Sequence, residues 1–363
     1  MKENGHAKPE RGFPMELTID SHSLLKQFAQ AAFIVEDGAV VDGNQHAENN
    51  NILVGQTLTD ILTDGLEQYT AFGDGYFCMT LKVNDLAYDA SVLRTGNRDV
   101  VILSSKQISS ELSVLATAAR SLREPLTSAM IATQELQSNL DEGERLQHLS
   151  KSLARLHRDI TNMADAGNLS KVRTGKMMTY DLVSVLSELV EKAAVQLSLT
   201  KKRLQFKTPC TSVDAVIDKE RLERAILNLI SNALKYSAGN EPVTIRLDRN
   251  DNRVQISVIN HTVSTFEAIY HELSAAYLKE PSFHTGGIGL GMTIVKNVAM
   301  AHGGTLLFDQ PQENTLRVTL SFPIRFTGNG KLHTSMLYPV DYLGGYDHTL
   351  IELADILPPE AFV

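Results

Sequence analysis

Hydrophobic positions along the chain change period three times, and each change predicts a different kind of element. Between 21 and 105 the apolar residues come in short runs. AAFIVEDGAVVDG sets two of them either side of Asp37-Gly38, a dipeptide that favours the positive backbone angles of a tight hairpin turn. Helical stretches near GQTLTDILTDGL precede three predicted strands, GYFCMTLKV, LAYDASVLR and RDVVILSS, separated by the turn-rich VND and TGN. From Gln107 to about Leu140, and from Glu142 to Leu169, the spacing becomes helical: Leu112, Leu115, Ala119, Leu122, Leu126 and Met130, then Leu146, Leu149, Leu153, Leu156 and Ile160. The polar break from Asn139 to Gly143 joins the two into a helical hairpin. Two amphipathic helices alone bury little, so pairing of residues 106–172 with a second copy into a four-helix bundle, and hence a homodimer, is expected. From about 178 to 324 helices and strands alternate, ending in VTIRLDR, RVQISVIN and TLRVTLSFPI, the pattern of an α/β sandwich.

Two ends fall outside these units. Residues 1–20 mix charges, Gly and Pro without periodicity and are expected to form a loosely ordered leader. Residues 325–363 carry Tyr338, Tyr342 and Tyr346 and the apolar face Leu350, Ile351, Leu353 and Ile356. They predict a docking helix that folds back or binds a partner, or else a packed extension that caps the sandwich.

Composition narrows the class. The 363 residues suggest two or three domains at roughly 150 residues each. Hydrophobic residues at 43%, with only 34 Gly and Pro in total, exclude a disordered or collagen-like chain. No apolar run approaches the ~20 residues of a membrane helix, and the first residues lack the apolar core of a signal peptide, so a cytoplasmic protein is expected. A net charge of -9 offers no basic field for phosphates of nucleic acid, which is not expected as a partner. Cys78 and Cys210 form neither a disulfide framework nor a metal-ligand pair and are expected as buried small hydrophobes.

The candidate chemistry lies in two segments of the sandwich. In Glu220–Tyr236, Asn228, Asn232 and Lys235 share one helical face, while Ile226, Leu229, Ile230 and Ala233 take the core side. Such a stripe suits a triphosphate with its Mg²⁺, since amide oxygens complete a hard-cation shell and an ammonium neutralises phosphate charge; a solvated helix face is the alternative. The second segment, His284 to Lys296, is glycine-rich before an apolar helix, and glycines let backbone amides approach phosphate closely. His302-Gly303-Gly304 follows and turns the chain into a closing hairpin.

With these residues in view, NLISNALKY, GGIGLGMTIVKNVAMAHGG and the upstream Ser121-Leu-Arg-Glu-Pro-Leu-Thr127 resemble a sensor histidine kinase over about 110–324. The order of elements in 21–105 resembles the PAS sensor fold, with a small α+β dimerisation module without ligand as the alternative. The resemblance implies an α+β chain: a PAS-like domain at 21–105, a dimerisation and phosphoacceptor-like hairpin at 106–172, and a Bergerat-type ATP-binding sandwich at 173–324. It implies ATP and Mg²⁺ as ligands. Asn228 and Asn232 would hold Mg²⁺ and phosphates, Lys235 would contact phosphate, Tyr236 would lie against adenine, and Gly287, Gly289 and Gly291 would hinge a lid.

Three departures alter the expected chemistry. The family's His-Glu-Leu-Arg-x-Pro-Leu begins here with Arg120 and Ser121. A guanidinium stays protonated and has no free lone pair, so it cannot attack a γ-phosphoryl group. The family's Asp-x-Gly-x-Gly reads Asn260-His261-Thr262-Val263-Ser264, so Asn260 would accept the adenine amino hydrogen only as a neutral partner. The segment 264–286 retains only Phe283 of the family's pattern. His148 and His157 lie on the second hairpin helix outside any acceptor context and are expected to pack the bundle or face solvent; a phosphoacceptor role is the alternative. His284 reads as a lid residue able to reach phosphate if protonated, and His261 has no assigned role. The reading expected is a kinase-like switch that binds ATP-Mg²⁺, has lost the usual acceptor and signals to a response regulator or other signalling protein. An active kinase for a His or Ser elsewhere, and a dimeric scaffold without nucleotide, are the alternatives.

Overall fold

A computed structural model describes residues 25–105, 110–139, 143–166, 177–262, 290–325 and 347–362. The expected leader, Gly287, Gly289, His284, Phe283 and the three tail tyrosines lie outside the described residues, as do 106–109 and 167–176, where two of the expected domain boundaries fall.

The first unit is an antiparallel sheet flanked by short helices. In chain order it comprises β1 (Ala31–Glu36), β2 (Ala39–Gly43), α1 (Gln45–Asn49), α2 (Leu58–Ile61), β3 (Leu62–Asp64), α3 (Leu66–Ala71), β4 (Gly75–Val83), β5 (Leu86–Thr95) and β6 (Arg98–Ser105). The strands run in the order β2-β1-β6-β5-β4, an arrangement compatible with the PAS-like reading, with β3 beside β4. Asp37 and Gly38 both adopt positive φ, 50° and 81°, as the β1–β2 hairpin requires. Phe33, Tyr69, Phe77 and Met79 fill the core. Arg94 locks α3 onto this sheet: its Nε and Nη2 donate to Asp99 at 2.9 and 2.8 Å, its Nη1 donates to the Tyr69 and Phe72 carbonyls, and the Tyr69 hydroxyl donates to the same Asp99.

The hairpin is α4 (Ser110–Asn139) against α5 (Gly143–Ala166), each end close to the boundary that periodicity suggests. Ala119, Leu126, Met130 and Ile160 of the apolar stripe are buried, but Leu122, Leu149 and Leu156 are 52%, 45% and 49% exposed. The stripe is therefore split between the joint with the sandwich and an outer face.

The sandwich comprises β7 (Met178–Asp181), α6 (Leu182–Gln196), β8 (Leu204–Lys207), β9 (Asp214–Ile217), α7 (Lys219–Tyr236), β10 (Val243–Asn250), β11 (Arg253–His261), α8 (Leu290–Ala301), β12 (Thr305–Gln312) and β13 (Thr315–Pro323). Its sheet runs β12-β13-β11-β10-β8, antiparallel except for the β8–β10 pair, and β7 with β9 forms a separate ribbon. Leu186, Leu189, Ile226, Leu229, Ile230, Val295 and Ala299 carry α6, α7 and α8 onto a core shared with Ile245, Ile256 and Leu320 of the strands. A further helix, α9 (His348–Glu352), folds back into that core: Leu350, Ile351, Leu353, Ala354, Leu357 and Phe362 are all buried there. Of the two cysteines, Cys78 is buried and Cys210 only half-buried, because it lies in the turn between β8 and β9 rather than on an inward strand position.

One contact joins the two sheets. β12 pairs antiparallel with β4 through Leu306↔Cys78, Leu307↔Phe77 and Phe308↔Tyr76, so a single eleven-stranded sheet runs through both units. Lys296 of α8 reinforces it by donating to Ser91 Oγ of β5 at 3.1 Å. Gly75 starts β4 with φ +142°, and a Cβ there would stand 2.6 Å from the Phe308 carbonyl oxygen. Gly75→Ala is expected to lower stability by more than about 1 kcal/mol, since neither the backbone angle nor the space admits a methyl group. Urea titration checks this, and an unchanged midpoint would mean that the strand junction yields without cost.

Candidate functional site

Helix α7 starts at Asp218, whose carboxylate accepts from the Arg221 amide at 3.2 Å. His302 ties this start to the end of α8. Its Nε2 accepts from the Asp218 amide at 3.1 Å while Nδ1 donates to the Val298 carbonyl at 2.7 Å. Burial lowers the pKa of His302, in keeping with the neutral ring that this pair of bonds requires. The start of α7 is thereby fixed against the end of α8.

Along α7, Asn228 is fully buried, Asn232 is half-buried, and Lys235 and Tyr236 are exposed at the last turn, with the ammonium 5.3 Å from the ring centroid. Gly291, in the first turn of α8, comes so close to Asn228 that a Cβ would stand 2.7 Å from its Oδ1. A side chain at 291 would therefore displace the Asn228 amide. Asn260 is buried at the end of β11, its Nδ2 donating to the His261 carbonyl at 3.5 Å. His261 is half-exposed, 3.9 Å from the Glu241 carboxylate. Arg120 and Ser121 sit exposed on α4, where the Ser121 hydroxyl donates to the Ala118 carbonyl at 2.8 Å.

The first Asn of the stripe opens onto a buried polar cluster. Glu352 of α9, only 2% exposed, accepts from Arg158 Nε of α5 at 3.2 Å, from Arg224 Nε of α7 at 3.0 Å and from Asn228 Nδ2 at 3.3 Å. Asn228 also donates to the Arg224 carbonyl at 3.0 Å and accepts weakly from Arg158 Nη2 at 3.5 Å. Arg158 Nη1 donates to Asp355 at 2.7 Å, and Arg155 Nε to the same carboxylate at 2.8 Å. Arg224 completes its fork with Asp165 and with Asn162 Oδ1 at 2.8 Å. Burial alone would raise the Glu352 carboxyl, but the guanidiniums of Arg224 and Arg158 outweigh it and hold it below the ordinary value.

His157 belongs to the same joint. It is 1% exposed, its Nδ1 stands 3.4 Å from Thr161 Oγ1, and its buried Nε2 has no hydrogen-bond partner among the described residues. Burial, with the positive charges of Arg123 and Arg224 behind it, takes its pKa down to about 4. The ring, neutral at neutral pH, therefore packs the joint, and His148, one of the two histidines singled out on this helix, is exposed.

Sequence reasoning missed Glu352, Arg158 and Arg224. It marked the apolar face of HTLIELADIL and passed over the two acids set among its apolar residues, Glu352 and Asp355, which were the available signal. Carboxylates in a segment that buries its apolar face need cations on the surface it meets.

The unfolded chain takes a proton on His157 near pH 6.5, whereas the folded chain takes it only near pH 4. This residue's contribution to stability is therefore present above that window and falls as pH drops through it, by up to about 3 kcal/mol. Urea unfolding at pH 7 and pH 4.5 is expected to show a larger acid loss in the wild type than in His157→Gln. Equal losses would place the imidazole in contact with water.

Residues 217–325 match the family described as histidine kinase-, DNA gyrase B-, and HSP90-like ATPase. A bacteriophytochrome of Pseudomonas aeruginosa is 27% identical over 223 residues, 60% of this chain and 30% of that protein. A sensor-like histidine kinase of Mycolicibacterium smegmatis is 26% identical, covering 58% of this chain and 56% of its own. An adaptive-response sensory kinase of Parasynechococcus marenigrum is 25% identical, covering 66% and 62%. The chain thus spans between 30% and 62% of the length of these relatives. Among solved structures, histidine kinase ThkA in complex with the response regulator TrrA aligns over 84% of this chain and 98% of that one, with a TM-score of 0.42 and 17% identity. No helix among the described residues is long and apolar enough to cross a membrane. Residues 217–325, from the end of β9 past β13, are an ATPase domain of the histidine kinase-, DNA gyrase B- and HSP90-like family, in a chain whose relatives are sensor histidine kinases.

Proposed function

We propose that this chain is a histidine-kinase-like signalling protein that binds Mg²⁺-ATP and transmits its state by conformation, without phosphoryl transfer to its own hairpin at the family position. The observation that carries the reading is the pairing of an ATP-binding fold over 217–325 with Arg120-Ser121 where the family places His-Glu. The arginine has no lone pair for the γ-phosphorus, and the serine has no basic group to take a proton.

The donor set fits the group. Asn232 and Asn228 offer neutral amide oxygens suited to a hard cation whose charge the phosphates balance. In this reading Lys235 contacts phosphate, Tyr236 lies against the adenine, Asn260 accepts its amino hydrogen, and Gly287, Gly289 and Gly291 let the lid close. Bound Mg²⁺ supplies neutralisation of phosphate charge. Lys235 adds a point charge to the same end, and Tyr236 excludes water from one face of the base.

A homodimer through 106–172 is supported by the exposed face of the hairpin, where Leu122 and Leu136 of α4 and Leu149 and Leu156 of α5 remain exposed. A cytoplasmic location and a response regulator or other signalling partner complete the proposal. One observation favours the scaffold alternative: the Asn228 amide is already engaged by Glu352.

Calorimetry with Mg²⁺-ATP separates the two. Binding by the wild type and its loss in Asn232→Ala is the expected outcome, with a gain of about 2.7 kcal/mol in folding stability at a hundredfold excess over Kd. Absence of binding at millimolar nucleotide would leave the scaffold. Labelled phosphate appearing on any residue of a nucleotide-binding wild type would instead support an active kinase.

A further inference from the structure

We infer that residues 347–362 are a releasable latch that joins the hairpin to the ATPase domain and competes with nucleotide for Asn228. The inference deepens the proposed nucleotide reading and rests on it.

The latch is held by two kinds of contact. Leu350, Ile351, Leu353, Ala354, Leu357 and Phe362 are buried in the core that α5, α6 and α7 share. At its centre Glu352 bridges Arg158 of the hairpin to Arg224 and Asn228 of the ATPase domain, and Asp355 adds a second carboxylate to Arg158 and one to Arg155. Helix α9 has five residues and too few internal hydrogen bonds to persist alone, so its shape depends on being docked. In the sequence, residues 326–346 stand between it and the end of the sandwich.

Charge makes the seat conditional. Both carboxylates bonded to Arg158 come from the latch, while Arg224 also holds Asp165 and Asn162 of α5 directly. An empty seat would thus leave Arg158 and Arg224, with Arg123 close to Arg224, balanced only by Asp165 and by Asp159 beside Arg158. Such a site either opens to water or takes another anion. The anion that the neighbouring Asn228 and Gly291 would bring is a nucleoside triphosphate, whose phosphates can replace the Glu352 carboxylate. The docked latch and the bound triphosphate are then alternatives: the first adds its carboxylates to the Arg224 contacts that join hairpin and ATPase domain, and the second frees Asn228 and leaves the joint to those Arg224 contacts alone.

The test uses the full chain with Glu352→Lys, which sets a third cation between the two guanidiniums, and with Glu352→Gln as the milder variant. Solution scattering reads opening, and calorimetry reads Mg²⁺-ATP affinity. A larger radius of gyration together with at least tenfold tighter nucleotide binding than wild type is expected. An unchanged radius in both variants would overturn the latch, and a larger radius with unchanged affinity would overturn the competition. Should Glu352→Lys fail to fold, Glu352→Gln in the full chain carries both readouts, and an unchanged radius with unchanged nucleotide affinity there overturns the proposal. If no protein binds nucleotide, the nucleotide reading itself fails and the competition with it; scattering, which needs no nucleotide, still decides whether the segment holds the joint.

Discussion

Burying one carboxylate, that of Glu352, between Arg158 and Arg224 sets the relation of the hairpin to the ATPase domain. Desolvating these groups costs several kcal/mol per ion, and the cost is offset only when each charge finds an opposite one with sound hydrogen-bond geometry. Three segments distant in sequence have to arrive together for that to happen: α5, the first turns of α7, and the segment beginning at α9. The apolar residues around Glu352 then follow, because Leu350, Ile351 and Leu353 can enter the core only if the acid between them is neutralised. Asn162 and Asp165 serve the same end by completing the Arg224 fork.

A second link works by different physics. The β4–β12 pairing is made of backbone hydrogen bonds and the ordinary sheet register, so it is indifferent to pH and to charge. Gly75 allows the Phe308 carbonyl to approach, and Lys296 adds one side-chain bond from α8 to Ser91. The helix that follows the glycine-rich segment is thereby in contact with the first unit as well as with α7.

Much of this was legible in the sequence, and the reason is periodicity. The strands GYFCMTLKV, LAYDASVLR and RDVVILSS stand where the short apolar runs and the intervening turns put them, with Asn84, Asp85 and Gly96 at positive φ in the connections. The stripe of α7 was legible for the same reason, since Asn228, Asn232 and Lys235 break an otherwise apolar helical pattern. What periodicity could not reveal was pairing across long sequence separation. Nothing local marks β12 as a partner for β4, because an edge strand reads the same whether it is covered or free. Nor does anything local distinguish Arg158 from Arg155 on α5, although one is buried with Glu352 and the other is exposed. The expected stripe of the hairpin was correct in spacing yet incomplete in destination, since Leu122, Leu149 and Leu156 face outward.

The two links and the covalent path close a ring. The chain leads from β6 into α4, the hairpin meets the ATPase domain at Glu352, and the ATPase domain returns to the first unit through β12 and β4. In a ring, a displacement at one joint has to be absorbed at another. Breaking the β4–β12 joint exposes backbone groups that water must satisfy and uncovers Phe77 and Phe308, so it yields late. The Glu352 joint exchanges one set of charge partners for another, and an incoming anion can make that exchange nearly neutral. Of the two, the ionic joint is therefore the one that a charged ligand can move. Ligands that carry no charge act on the ring only through the apolar contacts beneath it.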